Sequence, residues 1–256
     1  MLGDPRKVKK GPAVRYTIIS DIHSNLEALQ AVLADIEKLP VDQILCLGDV
    51  VGYGPNPNEC IELVKATSSV VLAGNHDWAP VGKMDTAYFN PYARSAVEWT
   101  AGELTRVSAD FLRHLPLTDQ RDGAFLVHAT PDDPAEWDYI TSVWVAQKNF
   151  SYFGDQVCFI GHSHVPVTWI KNEMGNFCRA ERSPSVEFSA GQRYIINVGS
   201  VGQPRDLDPK ASYGIFDSEE KTFELRRVEY NIAETQRKIR QAGLPEYLAE
   251  RLGRGE

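Results

Sequence analysis

The stretch CFIGHSHVP, residues 158–166, places two histidines directly after an apolar run. His162 and His164 are separated by one residue, and residues i and i+2 of an extended chain point to the same side. The pair therefore presents two imidazoles together, and imidazoles serve as metal ligands and as acid–base groups near neutral pH. Because a single histidine after a strand is more often structural, the meaning of this pair depends on what the other apolar runs lead into.

Four further apolar runs lead into groups of the same kind. YTIIS precedes Asp21 and His23, ILCLG precedes Asp49, VVLAG precedes Asn75, His76 and Asp77, and FLV precedes His128. Five of the six histidines stand at such positions, and the sixth, His114, is given no role. Ligands of open α/β sheets bind just outside the carboxyl ends of strands, so we expect these groups to meet at one edge. A purely structural explanation does not account for this gathering.

The mixture of carboxylate, amide and imidazole groups predicts a transition-metal site. Such donors suit Mn²⁺, Fe²⁺ and Zn²⁺. The candidate metal ligands are Asp21, His23, Asp49, Asn75, His128, His162 and His164. Seven ligands are too many for one tetrahedral zinc ion, but they fit two ions about 3.5–4 Å apart. Asp49 is the best candidate for a bridging carboxylate because it is the lone ligand from its strand. The glycines before Asp49, Asn75 and His162 permit close approach of the backbone to a bound ion.

Alternating strands and helices position these groups in the first half of the chain. We expect strands over VRYTIIS, QILCLGD and SVVLAG, and amphipathic helices over SNLEALQAVLADIEKLP and NPNECIELVKA. This order predicts parallel pairing of the three strands. Ser24 and Glu27 have the spacing of a capping box at the start of the first helix. Residues 91–115 are predicted to be helical, and AFLVHAT and QVCFIGH are two further strands.

The second half of the chain has a different pattern of predicted secondary structure. Between residues 165 and 230 short strands alternate with turn residues and no helical pattern separates them, which predicts an antiparallel second sheet. We therefore expect the early and late halves to pack as two sheets of a single domain over residues 14–256, ending in two helices. Residues 1–13 are predicted to form a flexible N-terminal tail.

Composition argues against several classes of protein, among them nucleic-acid-binding proteins and membrane proteins. The net charge of −8 over 256 residues opposes a broad nucleic-acid surface, which would need a basic face. No apolar run approaches the roughly 18 residues that span a bilayer, and no signal peptide is recognised. The four cysteines include no C-x-x-C pair, and Cys46 and Cys158 lie in apolar runs typical of buried thiols. We expect a cytoplasmic protein without membrane contact; the oligomeric state is not indicated.

Five ordered motifs connect the chain to a known family. D-x-H, G-D, G-N-H-D, a later H and G-H-x-H, between Asp21 and His164, resemble the motifs of the calcineurin-like metallophosphoesterases. GDVVGYGPNP and NVGSVGQPRD resemble the small bacterial and archaeal phosphodiesterase branch. The resemblance implies an α/β fold of the mixed α+β kind, built as a four-layer α/β/β/α sandwich of two mixed β-sheets flanked by helices.

The resemblance also implies a role for each site residue. One ion would be held by Asp21, His23 and His164, and the other by Asn75, His128 and His162. Asp49 would bridge the two ions. His76 would face the substrate and assist the leaving group, and Asp77 would steady His76. The implied cofactors are two divalent transition-metal ions, with Mn²⁺ favoured and Fe²⁺, Zn²⁺, Ni²⁺ or Co²⁺ as alternatives.

These residues predict a metal-dependent phosphoric ester hydrolase. We expect a phosphodiesterase that hydrolyses a small phosphate ester or nucleotide through attack of a metal-bridging hydroxide on phosphorus. The alternatives within the enzyme class are a phosphoprotein phosphatase and a dinucleoside polyphosphate hydrolase. A non-catalytic scaffold of the same fold is the alternative outside it, and the presence of all seven ligands and His76 opposes that alternative.

Two residues outside the motifs are candidate substrate contacts. Arg205 in GQPRD has a guanidinium that is able to bind phosphate through two donors. A surface ion pair with Asp206 or Asp208 explains Arg205 equally well. Asn25 lies close in sequence to His23, and a helix cap is its alternative role.

Overall fold

The computed structural model describes residues 14–87, 89–172, 174 and 177–256. The predicted tail over residues 1–13 lies outside the described residues. The strands are β1 (Arg15–Ile19), β2 (Gln43–Cys46), β3 (Ser68–Val71), β4 (Thr118–Arg121), β5 (Ala124–Val127), β6 (Val157–Ile160), β7 (Val167–Asn172), β8 (Cys178–Glu181), β9 (Ser185–Glu187), β10 (Gln192–Asn197), β11 (Ala211–Asp217) and β12 (Thr222–Val228). The helices are α1 (Leu26–Ile36), α2 (Pro57–Thr67), α3 (Asn75–Trp78), α4 (Pro91–Glu103), α5 (Arg106–Arg113), α6 (Val143–Asn149), α7 (Ile232–Gln241) and α8 (Glu246–Glu250).

The strands form two six-stranded mixed sheets. The first has the order β3-β2-β1-β11-β12-β9 and the second has the order β4-β5-β6-β10-β7-β8. In the first sheet β1 pairs parallel with β2 and antiparallel with β11. In the second sheet β10 pairs parallel with β6 and antiparallel with β7. The predicted parallel run of β1, β2 and β3 is confirmed, because β2 also pairs parallel with β3.

The expectation that the late half forms a sheet of its own is wrong. The late strands β11, β12 and β9 extend the first sheet beyond β1, whereas the early strands β4, β5 and β6 belong to the second sheet. Alternating polarity along a strand reports which faces are buried, but it carries no information on which neighbour pairs with the strand. The periodicity of a strand therefore does not predict which of the two sheets the strand joins.

Helices cover the outer face of each sheet and complete four layers, as predicted. Successive side chains of a strand point to opposite faces. Ile18 accordingly packs between the sheets with Phe159 of the second sheet, while Ile19 packs outward in a cluster with residues of α1 and α2. On the far side, Phe150 packs beside Ile160 on the outer face of the second sheet. The carboxyl ends of β1, β2, β3, β5 and β6 all lead into the loops that carry the predicted site.

Helix boundaries refine two predictions. Asn25 is the N-cap of α1 and accepts a hydrogen bond from the Ala28 backbone N–H at 3.1 Å, so the capping box expected at Ser24 is absent. The helical region predicted over residues 91–115 is divided into α4 and α5, and Thr105 caps α5. The four cysteines are buried and unpaired. None of the helices in the described parts of the chain combines the length and apolar character needed to cross a bilayer.

Candidate active site

The strand ends bring all nine predicted metal-binding and catalytic residues together in one buried cluster. None of these side chains is more than 7% exposed. The acidic and imidazole groups form two sets that are close enough to hold a metal ion, Asp21–His23–Asp49–His164 and Asp49–His128–His162, and in each set the donor atoms lie within 4.8 Å of one another. The sequence prediction that these groups meet at one edge of the sandwich agrees with this arrangement.

In the first set, three electron-rich atoms crowd together. His23 Nε2 lies 3.0 Å from His164 Nε2, and Asp21 Oδ1 lies 3.2 Å from His164 Nε2. Donor atoms bound to one divalent transition metal, each about 2.0–2.2 Å from it, lie about 3 Å from their neighbours. The spacing is therefore that of a coordination shell.

The second set is joined to the first through Asp49. Its Oδ2 lies 3.6 Å from His23 Nε2 and 3.3 Å from His128 Nε2. Its Oδ1 accepts a hydrogen bond from the His76 backbone N–H at 2.8 Å, which fixes the carboxylate between the two sets. His128 Nε2 and Asn75 Oδ1 are buried without a hydrogen-bond partner. Unpaired buried polar atoms are costly, and a metal ion would satisfy both.

Each of the four imidazoles in the two sets is oriented by a backbone carbonyl. His23 Nδ1 lies 3.1 Å from the Val51 oxygen, His128 Nδ1 lies 3.0 Å from the Leu47 oxygen, His164 Nδ1 lies 2.6 Å from the Gln203 oxygen, and His162 Nε2 lies 2.8 Å from the Trp137 oxygen. A carbonyl only accepts hydrogen bonds, so the facing ring nitrogen must carry the proton. The other nitrogen of each ring then faces the cluster, where it presents a lone pair to a metal ion once any proton on it is displaced.

This tautomer assignment adds an electrostatic reason for a metal ion at the site. With Nδ1 protonated in both rings, His23 and His164 face each other through two lone pairs only 3.0 Å apart. That contact is repulsive unless a positive charge lies beside both atoms. The donor set therefore fits divalent metal ions, and these residues would hold them.

The backbone around the donors is strained. The predicted ligands Asp21, His23, Asp49, His162 and His164 all have positive φ, between 50° and 65°. Left-handed conformations of residues other than glycine cost on the order of 1–3 kcal/mol each and concentrate at functional sites. Two predicted glycines permit the close packing: a Cβ on Gly74 would lie 2.0 Å from Asp49 Oδ1, and a Cβ on Gly161 would lie 2.4 Å from Asp21 Oδ2.

Burial and buried charge set the pKa values of the site. Burial lowers the pKa of His76 to about 4 and that of His162 to about 3, so both imidazoles are neutral at pH 7. Burial also opposes charge on His128, but the carboxylates of Asp49 and Asp21 outweigh it and raise the pKa of His128 to about 9. The carboxylates thus attract positive charge to the centre of the cluster.

Asp77, which is predicted to steady His76, makes its hydrogen bonds to backbone N–H groups. Asp77 Oδ1 accepts hydrogen bonds from the backbone N–H groups of Val50 at 2.9 Å and Val51 at 3.2 Å, and Oδ2 accepts one from Gly74 at 2.9 Å. Burial and the charge of Asp49 raise the pKa of Asp77 to about 7. Asp77 therefore ties the loop after Asp49 to the start of α3, the helix that carries His76.

His76 lies beside the metal-binding sets without belonging to them. Its ring centroid is 5.0 Å from that of His23, 4.4 Å from that of Tyr53 and 5.0 Å from that of Phe89. Its Nδ1 is buried without a hydrogen-bond partner. The ring is thus positioned by aromatic packing, and no hydrogen bond of its side chain is seen in the described chain.

The two candidate substrate contacts differ. Asn25 is 2% exposed, donates to the Gly202 carbonyl at 2.8 Å and accepts from Thr235 at 3.0 Å, so its amide joins α1 to Gly202 and α7, and its substrate contact stays a prediction. Arg205 lies over the Tyr53 ring at 5.7 Å, and its Nη2 donates to Gln203 Oε1 at 2.7 Å. The alternative ion pairs are not formed within the described residues: Asp206 and Asp208 both face Arg227.

Some groups that shape the site are not predicted from the sequence. The four carbonyls that orient the imidazoles have no side-chain signature, so no sequence signal points to them. Arg251 lies near Arg205: burial and then the positive charge of Arg205 lower the pKa of Arg251. It lies near the end of the last predicted helix, where a basic residue is ordinarily explained by the helix dipole.

Comparison with known proteins identifies the family. Residues 14–221 match the calcineurin-like phosphoesterase superfamily domain. The chain is 44% identical over 239 residues to an uncharacterised protein of Methanocaldococcus jannaschii, covering 92% of this chain and 96% of that protein. The chain belongs to the calcineurin-like phosphoesterase superfamily, and it is a phosphoric ester hydrolase.

Other similar proteins agree with this assignment. A crystal structure of a metallophosphoesterase from Sphaerobacter thermophilus is 44% identical, covers 95% of this chain and 100% of its own, and superposes with a TM-score of 0.84. A hypothetical protein from Pyrococcus horikoshii shares the fold at 21% identity, with a TM-score of 0.77 and coverage of 95% and 99%. A symmetrical bis(5'-nucleosyl)-tetraphosphatase of Haemophilus influenzae is 23% identical over 184 residues, which are 70% of this chain and 63% of that protein.

Proposed function

We propose that the protein is a phosphodiesterase that hydrolyses a small phosphate ester or a nucleotide with two divalent metal ions. The observation that carries the proposal is the sharing of Asp49. One carboxylate belongs to both donor sets, with Oδ2 at 3.6 Å from His23 Nε2 and 3.3 Å from His128 Nε2. A carboxylate placed between two cations binds both and offsets their repulsion, as hydrolytic two-metal sites require.

The two sets divide the remaining ligands. Asp21, His23 and His164 would hold one ion, and Asn75, His128 and His162 would hold the other. When bound, the ions supply the Lewis acidity that activates water and neutralises charge on the phosphate oxygens. Mn²⁺ is the favoured ion, and Fe²⁺, Zn²⁺, Ni²⁺ and Co²⁺ suit the same mixture of oxygen and nitrogen donors.

His76 acts on the leaving group in this proposal. Hydrolysis forms a bond from a water oxygen to phosphorus, breaks one P–O ester bond and delivers a proton to the departing oxygen. The His76 ring is held against Tyr53 and Phe89 beside both donor sets. Since it forms no side-chain hydrogen bond in the described chain, an imidazole nitrogen remains available to the leaving oxygen.

Arg205 positions the phosphate in this proposal. Its Nε is buried without a partner, and no ion pair within the described residues neutralises it. Burial is the main cause that lowers the pKa of His76 and of His164, and the positive charge of Arg205 lowers both further. The guanidinium therefore lies close to the two donor sets. A guanidinium so placed binds two oxygens of a phosphate group.

Metal analysis combined with a diester assay tests the proposal. We expect two manganese ions per chain in the wild type, with turnover of bis(p-nitrophenyl) phosphate, and loss of at least one ion and of turnover in Asp49→Asn. His114→Asn is the matched control, because the His114 side chain is 75% exposed and belongs to neither donor set. Full metal content in Asp49→Asn, or a manganese-loaded wild type that hydrolyses no phosphate ester, would overturn the proposal.

A second candidate function is hydrolysis of a dinucleoside polyphosphate. The observation that favours it is the 23% identity with the symmetrical bis(5'-nucleosyl)-tetraphosphatase of Haemophilus influenzae. Comparing kcat/KM for a dinucleoside tetraphosphate and for a simple diester distinguishes the two. We also propose a cytoplasmic location, supported by four buried cysteines that form no disulfide.

A further inference from the structure

A cleft of about 270 Å³ opens beside His76 on the side of Asn75 and His162. Its walls include four aromatic side chains, Tyr53, Phe89, Trp137 and Tyr139. The mechanism described above uses Phe89 only to hold the His76 ring, and it gives neither Phe89 nor Tyr139 a contact with the substrate. Because the cleft adjoins the group that acts on the leaving oxygen, the part of a substrate that enters it is the leaving group.

Two of the aromatic rings have surface to offer a ligand. Tyr139 lies parallel to the His162 imidazole, with ring centroids 4.0 Å apart and an angle of 19° between the planes, yet the residue is 50% exposed. Phe89 is partly exposed and packs on the His76 ring. Aromatic rings held by packing bind planar rings by stacking with little loss of side-chain freedom.

The charge of the lining selects against anions. No lysine or arginine is among the described residues that line the cleft, and one carboxylate, Glu136, is. Arg205 lies over the ring of Tyr53 at 5.7 Å but is assigned to the reacting phosphate, so a leaving group with its own phosphate would meet no second cation among the described lining residues. The volume lies just below the roughly 300–1,000 Å³ of clefts that bind drug-sized ligands, so the cleft suits one small ring system on a short alcohol.

We propose that this cleft binds a nucleoside as the leaving group of the substrate, with its base stacked between Tyr139 and Phe89. The inference rests on the proposed phosphoesterase activity and adds the identity of the group that departs. Cleavage then transfers the phosphoryl group to water and releases the nucleoside, whose oxygen takes the proton.

A matched pair of substrates tests the proposal on the manganese-loaded enzyme. The methyl esters of adenosine 5′-phosphate and of ribose 5-phosphate have the same primary alkoxide and differ at C1′, where the first carries adenine and the second a hydroxyl. We expect kcat/KM to favour the adenosine ester by about tenfold or more, the usual effect of stacking one base. The expected products are adenosine and methyl phosphate. Release of methanol instead of adenosine, or equal kcat/KM for the two esters, would overturn the assignment.

Variants locate the effect in the cleft. Tyr139→Ala and Phe89→Ala are each expected to reduce the ratio of the two kcat/KM values about tenfold, mainly through KM, and Tyr139→Phe is expected to keep the ratio. Tyr152→Ala is the matched control, because Tyr152 is a similarly exposed tyrosine, at 46%, outside the lining of the cleft. An unchanged ratio in both alanine variants would contradict the proposal.

A binding measurement separates this inference from the proposed function. Adenosine is expected to bind the manganese-loaded protein at least about tenfold more tightly than ribose does, and Tyr139→Ala is expected to remove the difference. If neither ester is hydrolysed but adenosine binds in this way, the proposed phosphodiesterase activity fails while the nucleoside site stands. If both esters are hydrolysed but adenosine and ribose bind equally, the nucleoside site fails and the activity stands.

Discussion

His162 Nε2 donates a hydrogen bond to the backbone carbonyl oxygen of Trp137 at 2.8 Å. Trp137 presents this carbonyl from a left-handed conformation, with φ 58° and ψ 33°, which is uncommon for a bulky residue. The indole packs edge-on against Trp78 at 5.4 Å and is 9% exposed. The packing of one side chain therefore holds the strained backbone that orients a metal-binding imidazole.

The first prediction follows from this relationship. In Trp137→Ala the ring that stabilises the strained segment is lost, so we expect the affinity for one of two bound manganese ions to fall about 10–100-fold, the usual effect of losing a group that orients a ligand. The ion that Asp21, His23 and His164 are proposed to hold should keep its affinity. Calorimetric titration of the metal-free protein with Mn²⁺ measures both sites.

Trp144→Ala is the matched control for this prediction. Trp144 belongs to the same stretch between β5 and β6 but is 85% exposed, so both affinities should be unchanged in the control. Equal affinities of wild type and Trp137→Ala at both sites would show that the Trp137 ring does not support His162.

The second prediction concerns His76. In His76→Gln we expect both metal ions to stay bound, because His76 belongs to neither donor set, while kcat falls roughly 10²–10⁴-fold as expected for loss of a general acid–base group. Metal analysis and steady-state kinetics with a diester measure the two effects. His114→Gln provides the control at an exposed histidine. A variant with full turnover would remove His76 from the mechanism.

The donor groups were predictable from sequence because their chemistry lies in their side chains. Aspartate and histidine directly after apolar runs are visible without a structure, and the carboxyl ends of strands bring them together. The partners of those groups are not visible in this way. The Leu47 and Trp137 carbonyls orient His128 and His162, but any residue carries a carbonyl, and only the fold decides which one faces a ring.

The same distinction explains what was predicted of the fold. Local patterns gave the helices and the parallel run of β1, β2 and β3. The antiparallel addition of β11 to β1 joins residues about 200 positions apart, for example Thr17 with Ile215, and no local pattern encodes it. The N-cap of α1 shows the limit at short range: Ser24 fits a capping box by spacing, but its φ of 53° and the side-chain bond of Asn25 place the cap one residue later.

The third prediction concerns metal removal. A ligand that binds only the folded state at 100 times its dissociation constant stabilises by about 2.7 kcal/mol. For a domain of this size that corresponds to an increase in Tm of about 5–10 °C. We therefore expect chelation with EDTA to lower Tm by this amount and excess Mn²⁺ to restore it, since the ions relieve the contact of His23 with His164.

Asp49→Asn provides the comparison for the third prediction. This variant replaces the carboxylate shared by both donor sets with a neutral amide. Its Tm should therefore respond much less to Mn²⁺ than the Tm of the wild type does. Scanning calorimetry with and without EDTA measures the difference. A wild-type Tm that does not change with Mn²⁺ at any concentration would contradict metal binding by the folded chain.

The fourth prediction concerns pH and the contact between α1 and the first sheet. Asp35 on α1 accepts a hydrogen bond from Tyr213 Oη at 2.7 Å and faces Arg226 Nε at 3.3 Å. The Tyr213 hydrogen bond, with help from Arg226 and against burial, lowers the pKa of Asp35. A carboxyl whose pKa is lower in the folded state than the roughly 3.9 of the unfolded chain stabilises above that pH, and the contribution is lost as pH falls through the folded-state pKa.

Replacing Asp35 by asparagine tests the sign of this effect. Asp35→Asn keeps an acceptor for Tyr213 but removes the charge, so we expect a loss of about 1 kcal/mol in the free energy of unfolding near pH 7, a modest value because the Asp35 side chain is 21% exposed. The loss should shrink as pH falls below the unfolded-state pKa of about 3.9 and through the lower folded-state pKa. Urea unfolding across this range measures it, with Asp110→Asn, at a 70% exposed side chain, as the control. A loss that stays constant with pH would show that the Asp35 charge contributes nothing to holding α1 on the sheet.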